Sequence, residues 1–285
     1  MKQARTFLLT GCASGIGRHL ADVLVARGEN VLATDINLEA LEAYAGMRGW
    51  SDARVLLRQL DVRQASAWEA LFQQAISTFG SVDVLMNIAG YLKPGWIHET
   101  NLEEVHRHFD VNAKGVVFGT QVAARHMVQQ QHGHIINFAS MAALVPVPGL
   151  ALYSATKYAV RAFSLASAYE LRPYGVFVTV VCPDAVQTPM FDLQRNYDEA
   201  VLTFSSPRPL AVEDIARVIL DDVLHRKPLE VTLPRHRGWL SKFVNLFPAT
   251  QSILVPLFER RARTRQARLR HEDRSVESAC PHKKP

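Results

Sequence analysis

A doubly wound parallel α/β sheet with helices on both faces is the fold class this sequence predicts, on three observations. Short apolar runs alternate with helix-period patterns from residue 6 to residue 233, the signature of parallel strands joined by crossover helices in three α/β/α layers. The first run empties into a glycine-rich turn, Gly11-Cys12-Ala13-Ser14-Gly15-Ile16-Gly17, which leads straight into a helix. No internal repeat or linker divides residues 1–234, so one domain is expected there, followed by an extension over 235–271 and a disordered tail over 272–285. At 48% hydrophobic, the chain carries enough apolar surface for a large core.

In order, residues 6–10 predict the first strand, and Leu20, Val23, Leu24 and Ala26 mark a helix closed by Gly28. A glycine turn at a helix N-terminus lets backbone N–H groups approach a pyrophosphate, where the macrodipole also favours negative charge. The second strand, 30–34, ends at Asp35. In a dinucleotide fold an acid there accepts from the adenosine ribose hydroxyls, and capping the next helix is its plainer alternative role. Strands follow at 54–60, 82–86, 134–139, 176–182 and 229–233, separated by helices at 64–79, 102–130, 151–172 and 212–225.

Charge and cysteine usage narrow the function. The nine Lys/Arg and four Asp/Glu after Phe258 account for the whole formal charge of +5, so the domain body is neutral and offers no basic groove for nucleic acid. Cys12, Cys182 and Cys280 lie far apart without a CxxC pair, which fits a reducing, cytoplasmic compartment rather than a disulfide framework. Lys2, Arg5 and the run up to Cys12 imitate a lipoprotein signal, but the apolar stretch is too short. No His/Cys/Glu set has metal-ligand spacing, and no metal is expected; His106 and His108, two apart on a helix, do not share a face.

Tyr153 and Lys157 are four residues apart in an Ala-rich segment. On a helix this spacing puts phenol and ammonium on one face. A nearby fixed cation favours the phenolate and draws a group that titrates near pH ~10 toward the range of a general acid/base. Alone the pair also suits a solvated helix face.

Its company decides. Thr10-Gly11-x-x-x-Gly15-x-Gly17, Asp61-Val62, Asn87-Ile88-Ala89-Gly90, Asn112, Ser140 with Tyr153 and Lys157, and Pro183-Asp184-Ala185-Val186-Gln187-Thr188 fall in this order. The chain so resembles a short-chain dehydrogenase/reductase over residues 5–234, which implies a Rossmann-like fold. Ile88 replaces the usual second Asn, and Asp184 the usual Gly, which places a side chain beside the nicotinamide position. The resemblance implies that NAD is held by Gly11, Ser14, Gly15, Ile16, Gly17, Asp35, Ile36, Asp61, Val62, Asn87, Ala89, Gly90, Tyr153, Lys157, Pro183, Val186 and Thr188. It also implies a catalytic set: Tyr153 exchanges a proton with the reacting oxygen, Lys157 lowers the phenol's pKa and holds the nicotinamide ribose, Ser140 hydrogen-bonds the carbonyl, and Asn112 anchors a water that leads to solvent.

NAD(H) is expected over NADP(H), because Asp35 repels a 2′-phosphate and neither Ile36 nor the glycine turn offers an arginine. A protein that binds NAD(H) only as a sensor or scaffold is the rival class, against which the complete Asn112/Ser140/Tyr153/Lys157 set argues. The GxxxGxG spacing fits the GxxGxxG of nucleotide-sugar epimerases poorly. The resemblance further implies a homodimer or homotetramer built on the long fourth and fifth helices.

The substrate is expected between 91–96, 142–152 and a mobile lid at 189–209, an apolar surround that favours a lipophilic alcohol or ketone over a small polar one. Beyond the fold, Trp239, Leu240, Phe243, Val244, Leu246 and Phe247 recur at near-helical spacing, and the six arginines of 260–270 follow a second apolar run. Apolar then cationic is the pattern of an element that lies peripherally on an anionic membrane. The plainer alternative is that the apolar residues cover the substrate cleft or the sheet edge and the arginines form a solvated or disordered end.

Overall fold

The computed structural model describes residues 4–50 and 53–279. Among them, β1 (Thr6–Thr10), β2 (Asn30–Asp35), β3 (Val55–Gln59), β4 (Val84–Asn87), β5 (Gly133–Phe138), β6 (Val176–Pro183) and β7 (Glu230–Leu233) form one parallel sheet. Its order is β3-β2-β1-β4-β5-β6-β7. The order reverses between β1 and β4, the point at which an open α/β sheet leaves a crevice beyond the carboxyl ends of its strands.

Alternation along each strand explains the three layers. In β1, Phe7 and Leu9 point into one core with Leu20, Ala21 and Leu24 of α1 (Gly15–Ala26) and Leu41 of α2 (Leu38–Arg48). Ile215 and Ala216 of α8 (Val212–Val218) join them. Leu8 points into the other core, with Trp68, Leu71 and Phe72 of α3 (Ala65–Phe79), Val122 and Met127 of α5 (Gly115–Gln130) and Ala168 of α6 (Ala151–Leu171). With both faces covered, the strands read as continuous apolar runs.

The helix expected over 102–130 is interrupted. α4 (Leu102–Phe109) passes through a π turn at Asp110–Lys114 before α5 begins. The wider turn seats Asn112 fully buried, its carboxamide gripping the main chain of Tyr91 from both sides: Nδ2 donates to the Tyr91 carbonyl at 2.8 Å and Oδ1 accepts from its N–H at 2.7 Å. π bulges inside α-helices recur at functional sites.

Beyond β6 come α7 (Pro189–Leu193), a single 3-10 turn at Gln194–Asn196, a longer 3-10 stretch at Asp198–Ser205, then α8 and α9 (Leu224–Arg226). The extension folds as two helices, α10 (Arg235–Leu246) and α11 (Gln251–Ala279), broken by a turn at Pro248–Thr250. α10 lies flush on the β7 edge, since a Cβ on Gly238 would come within 2.0 Å of the Thr232 hydroxyl. α11 runs on into 272–279, a stretch expected to be a disordered tail; residues 280–285, with Cys280, lie outside the described residues. No helix among the described residues is long and apolar enough to cross a membrane.

Candidate active site

A cleft of about 970 Å³ opens over the carboxyl ends of β1, β2, β4, β5 and β6. Gly11, Ser14, Gly15, Ile16, Gly17, Asp35, Ile36, Asp61, Val62, Ala89, Gly90, Ser140, Tyr153, Lys157, Pro183, Val186 and Thr188 all line it. Two residues of the expected set do not.

The turn after β1 has the shape a pyrophosphate requires. Gly11 adopts φ +72°, and a Cβ on Gly17 would sit 2.2 Å from the Gly11 carbonyl oxygen, so only glycine lets the chain fold back on itself there. Ser14 at the N-cap of α1 makes no side-chain bond to the helix, which leaves the first-turn amides to a ligand in the cleft. Thr10 clamps the turn to the end of β4, its hydroxyl accepting from the Ile88 and Ala89 N–H groups at 3.0 Å each.

Asp35 is held by the same turn. One carboxylate oxygen accepts from the Ala13 N–H and the other from the Asn37 N–H, each at 2.9 Å. Capping of α2 falls to Asn37, which accepts from the Ala40 N–H at 3.0 Å, so Asp35 does not serve as that helix's cap. Nearby, Asp61 is gripped by Arg63, with N···O distances of 2.7–3.0 Å, and this hydrogen bonding holds its carboxyl below the usual range. Glycine cradle, uncapped helix N-terminus and aimed carboxylate together fit an adenine dinucleotide.

Ser140 follows β5, and its hydroxyl accepts from the Ala142 N–H at 3.1 Å, capping a short turn. The same hydroxyl hydrogen-bonds the Tyr153 phenol. Lys157, one turn along α6, is buried and donates to the Phe138 carbonyl at 2.8 Å, with its ammonium 5.6 Å from the centre of the Tyr153 ring. Burial pushes Tyr153 up to about 12 against the opposing hydrogen bond from Ser140, and burial pulls Lys157 down to about 8. Burial disfavours the charged form of each group.

Asn112 and Asn87 stand outside the lining. Asn112 shapes the cleft from behind: it fixes the chain at Tyr91 and donates to the Thr156 hydroxyl at 3.2 Å. Asn87 lies beneath the floor, where its amide donates to Asn137 Oδ1 at 2.8 Å, and Asn137 in turn donates to Ser164 at 2.9 Å. That chain ties β4, β5 and α6 together below the catalytic groups.

Within the expected 91–96 wall, Tyr91 recruits partners to which the sequence reading gave no role: Glu104, Arg107 and His108. Tyr91, on the cleft wall, donates its hydroxyl to Glu104 at 2.8 Å, under the guanidinium of Arg107, 4.2 Å from the ring centre. Buried His108 supports the next residues: its Nδ1 donates to the Glu104 carbonyl at 2.8 Å, and Nε2 accepts from the Lys93 N–H at 3.3 Å. The four-residue spacing of Glu104 and His108 was the available signal.

The extension takes the alternative in which its apolar residues cover the cleft. Leu240 and Val244 of α10, with Leu254, Val255 and Phe258 of α11, complete the substrate end of the cleft beside Met141, Val147, Leu150, Met190 and Phe191. The segment expected as a mobile lid is pinned by the same helices. Buried Gln266 donates to the carbonyls of Tyr197 at 2.7 Å, Arg195 at 3.2 Å and Gln194 at 3.3 Å. Arg265 donates to the Ser205 carbonyl at 2.7 Å, while Ala262 packs against Phe191, Val201 and Phe204. Asp184, the departure beside the nicotinamide position, pairs with Arg237 of α10 at 2.6 Å, and Arg237 also reaches Ser205 and Ser206.

Comparisons with known proteins agree with this geometry. Residues 5–198 match the short chain dehydrogenase family. A 2-(R)-hydroxypropyl-CoM dehydrogenase of Xanthobacter autotrophicus is 34% identical over 69% of this chain and 80% of its own length. A diacetyl reductase [(S)-acetoin forming] of Staphylococcus epidermidis is 36% identical over 66% of this chain and 74% of its own. The crystal structure of levodione reductase superposes with a TM-score of 0.74 at 25% identity, covering 82% of this chain and 97% of that one.

Proposed function

Since the chain belongs to the short chain dehydrogenase family, we propose that it interconverts a primary or secondary alcohol and its carbonyl with NAD(H), acting on a lipophilic substrate such as a sterol, a retinoid or a long-chain lipid. The observation that carries this reading is the convergence of Tyr153, Ser140 and Lys157 on one cleft with the glycine turn and Asp35. The nicotinamide, when bound, supplies or accepts the hydride. Everything else falls to the chain.

Ser140 hydrogen-bonds the substrate oxygen and fixes the carbonyl beside the phenol. Tyr153, kept protonated at neutral pH by its raised pKa, is in the form that donates a proton to the oxygen as a ketone is reduced. In the reverse direction the phenol first passes its proton on towards Lys157, and the phenolate then takes the proton from the alcohol. Lys157, with a pKa near 8, exchanges a proton close to neutral pH and re-protonates the phenol after turnover. Asp35 supports NAD(H) over NADP(H), because an ionised carboxylate accepts from ribose hydroxyls and repels a phosphate. Arg63, close by, is already committed to Asp61.

The apolar substrate end of the cleft supports a lipophilic substrate. A small hydroxy or keto compound, the kind named for the hydroxypropyl-CoM and diacetyl relatives, is the second reading. The family match ends at residue 198, before the helices that close this cleft. We place the enzyme in the cytoplasm as a homodimer or homotetramer, with peripheral membrane contact through the extension.

Tyr153→Phe tests the assignment. The variant should bind NADH as the native protein does, by cofactor fluorescence, while turnover of a ketone panel falls by roughly 10²–10⁴-fold. Activity retained above about a tenth would place the proton donor elsewhere. Binding without turnover by the native enzyme on a broad panel would favour an NAD(H) sensor.

A further inference from the structure

The substrate end of the cleft opens at the extension, and the residues that form its rim are themselves exposed. Leu240 and Phe258 both line the cleft and remain 53% and 37% accessible. Outside that rim the exposed apolar surface continues through Trp239, Phe243, Leu246 and Ile253, at 75%, 61%, 72% and 69% accessible. A run of bulky apolar side chains of this kind marks an interaction surface rather than scattered exposure.

The polar ties of the two helices lie elsewhere. Arg237 reaches Asp184, Lys242 pairs with Glu230, Asn245 accepts from the Tyr158 hydroxyl at 3.0 Å, and Gln266 binds the lid carbonyls. The hairpin is thus fastened to the body without using its apolar outer side chains. One turn past Leu257 the surface turns cationic, with Arg260, Arg261 and Arg263 exposed, Arg263 also sharing an ion pair with Glu259. Bulky apolar groups beside a guanidinium cluster complement acyl chains below anionic phosphates. A second copy of this chain would bring a second set of the same arginines toward the first.

We propose that α10 and the start of α11 rest on an anionic phospholipid leaflet and form a portal through which the substrate passes from the bilayer into the cleft. This rests on the reading of the substrate as lipophilic, and it adds where that substrate comes from. Ser205, Leu202 and Leu254 then bound the inner end of the route, and the lid need not open to bulk water.

The test uses the full chain and a Trp239→Ser/Phe243→Ser/Leu246→Ser variant, none of which lines the cleft, with Arg260→Gln/Arg261→Gln/Arg263→Gln as a second variant that leaves the apolar face intact. Co-sedimentation with phosphatidylglycerol-rich vesicles should retain the native enzyme and fall by about tenfold for each variant. Pure phosphatidylcholine vesicles should retain little of any of them. A long-chain ketone dissolved in the anionic vesicles should be reduced about tenfold more slowly by the apolar variant, whereas the same ketone delivered on cyclodextrin should be reduced at the native rate. Equal partition of native enzyme and both variants overturns the proposal. So does a variant that changes only the oligomeric state by light scattering, which would assign the face to a second copy. Vesicle binding without any preference for long-chain ketones on cyclodextrin would leave the docking standing and remove the lipophilic reading instead.

Discussion

The two ends of the cleft are built on opposite plans. At the cofactor end the surfaces are main chain: a glycine turn, uncapped amides of α1, and strand termini fixed by the sheet register, with Asp35 and Thr10 as clamps. At the substrate end they are side chains from segments far apart in sequence, held by polar side chains that reach lid carbonyls across some 60–75 residues. A main-chain site tolerates little change because its ligand meets atoms every residue shares. A side-chain site can be rebuilt wholesale, and this chain has used its extension to do so.

The largest effect should come from the main-chain end. Gly17→Val puts a branched side chain where a Cβ already meets a carbonyl oxygen at 2.2 Å, so the turn must open. NADH fluorescence enhancement should be lost at concentrations that saturate the native protein, with a native-like circular dichroism spectrum. Retained binding would mean that the turn does not hold the pyrophosphate.

Asp35→Ala should act next. Removing one charge-assisted hydrogen-bonding group costs about 1.5–3 kcal/mol, roughly tenfold or more in the KM for NADH, while the KM for NADPH should fall as the repulsion disappears. Steady-state kinetics with the two cofactors check it; an unchanged ratio would take Asp35 out of cofactor selection.

The smallest of the three belongs to the substrate end. Gln266→Leu preserves bulk but strips the donors from three lid carbonyls, which should destabilise the protein by about 1–3 kcal/mol. Thermal denaturation would show this, and NADH affinity should stay at the native value. If affinity fell in step with stability, the two ends would not be independent.

Legibility followed the same division. The strand–helix alternation and the motif spacings were readable because parallel sheets bury both faces of each strand and because a phosphate-binding turn admits only glycine at set positions. The interruption at Asp110–Lys114 was not, since nothing in a helical periodicity marks where one extra residue enters a turn. The resemblance implies Asn87 as a cofactor contact, whereas β4 turns its side chain into the amide chain below the floor. The direction of the Tyr153 and Lys157 shifts depended on burial, which spacing along a helix does not report. In the extension, the amphipathic pattern was visible, but the choice of Gln194, Arg195 and Tyr197 as partners for Gln266 is a matter of tertiary placement alone.

One cleft joins a glycine-turn cofactor end to an apolar end closed by α10 and α11. Steady-state reduction of a homologous series of 2-alkanones with NADH tests it most directly. Each methylene that enters an apolar cleft contributes about 0.8 kcal/mol, so kcat/KM should climb roughly three- to fourfold per carbon until the cleft is filled. A series that is flat, or that falls with chain length, would contradict this arrangement and return the enzyme to small polar substrates.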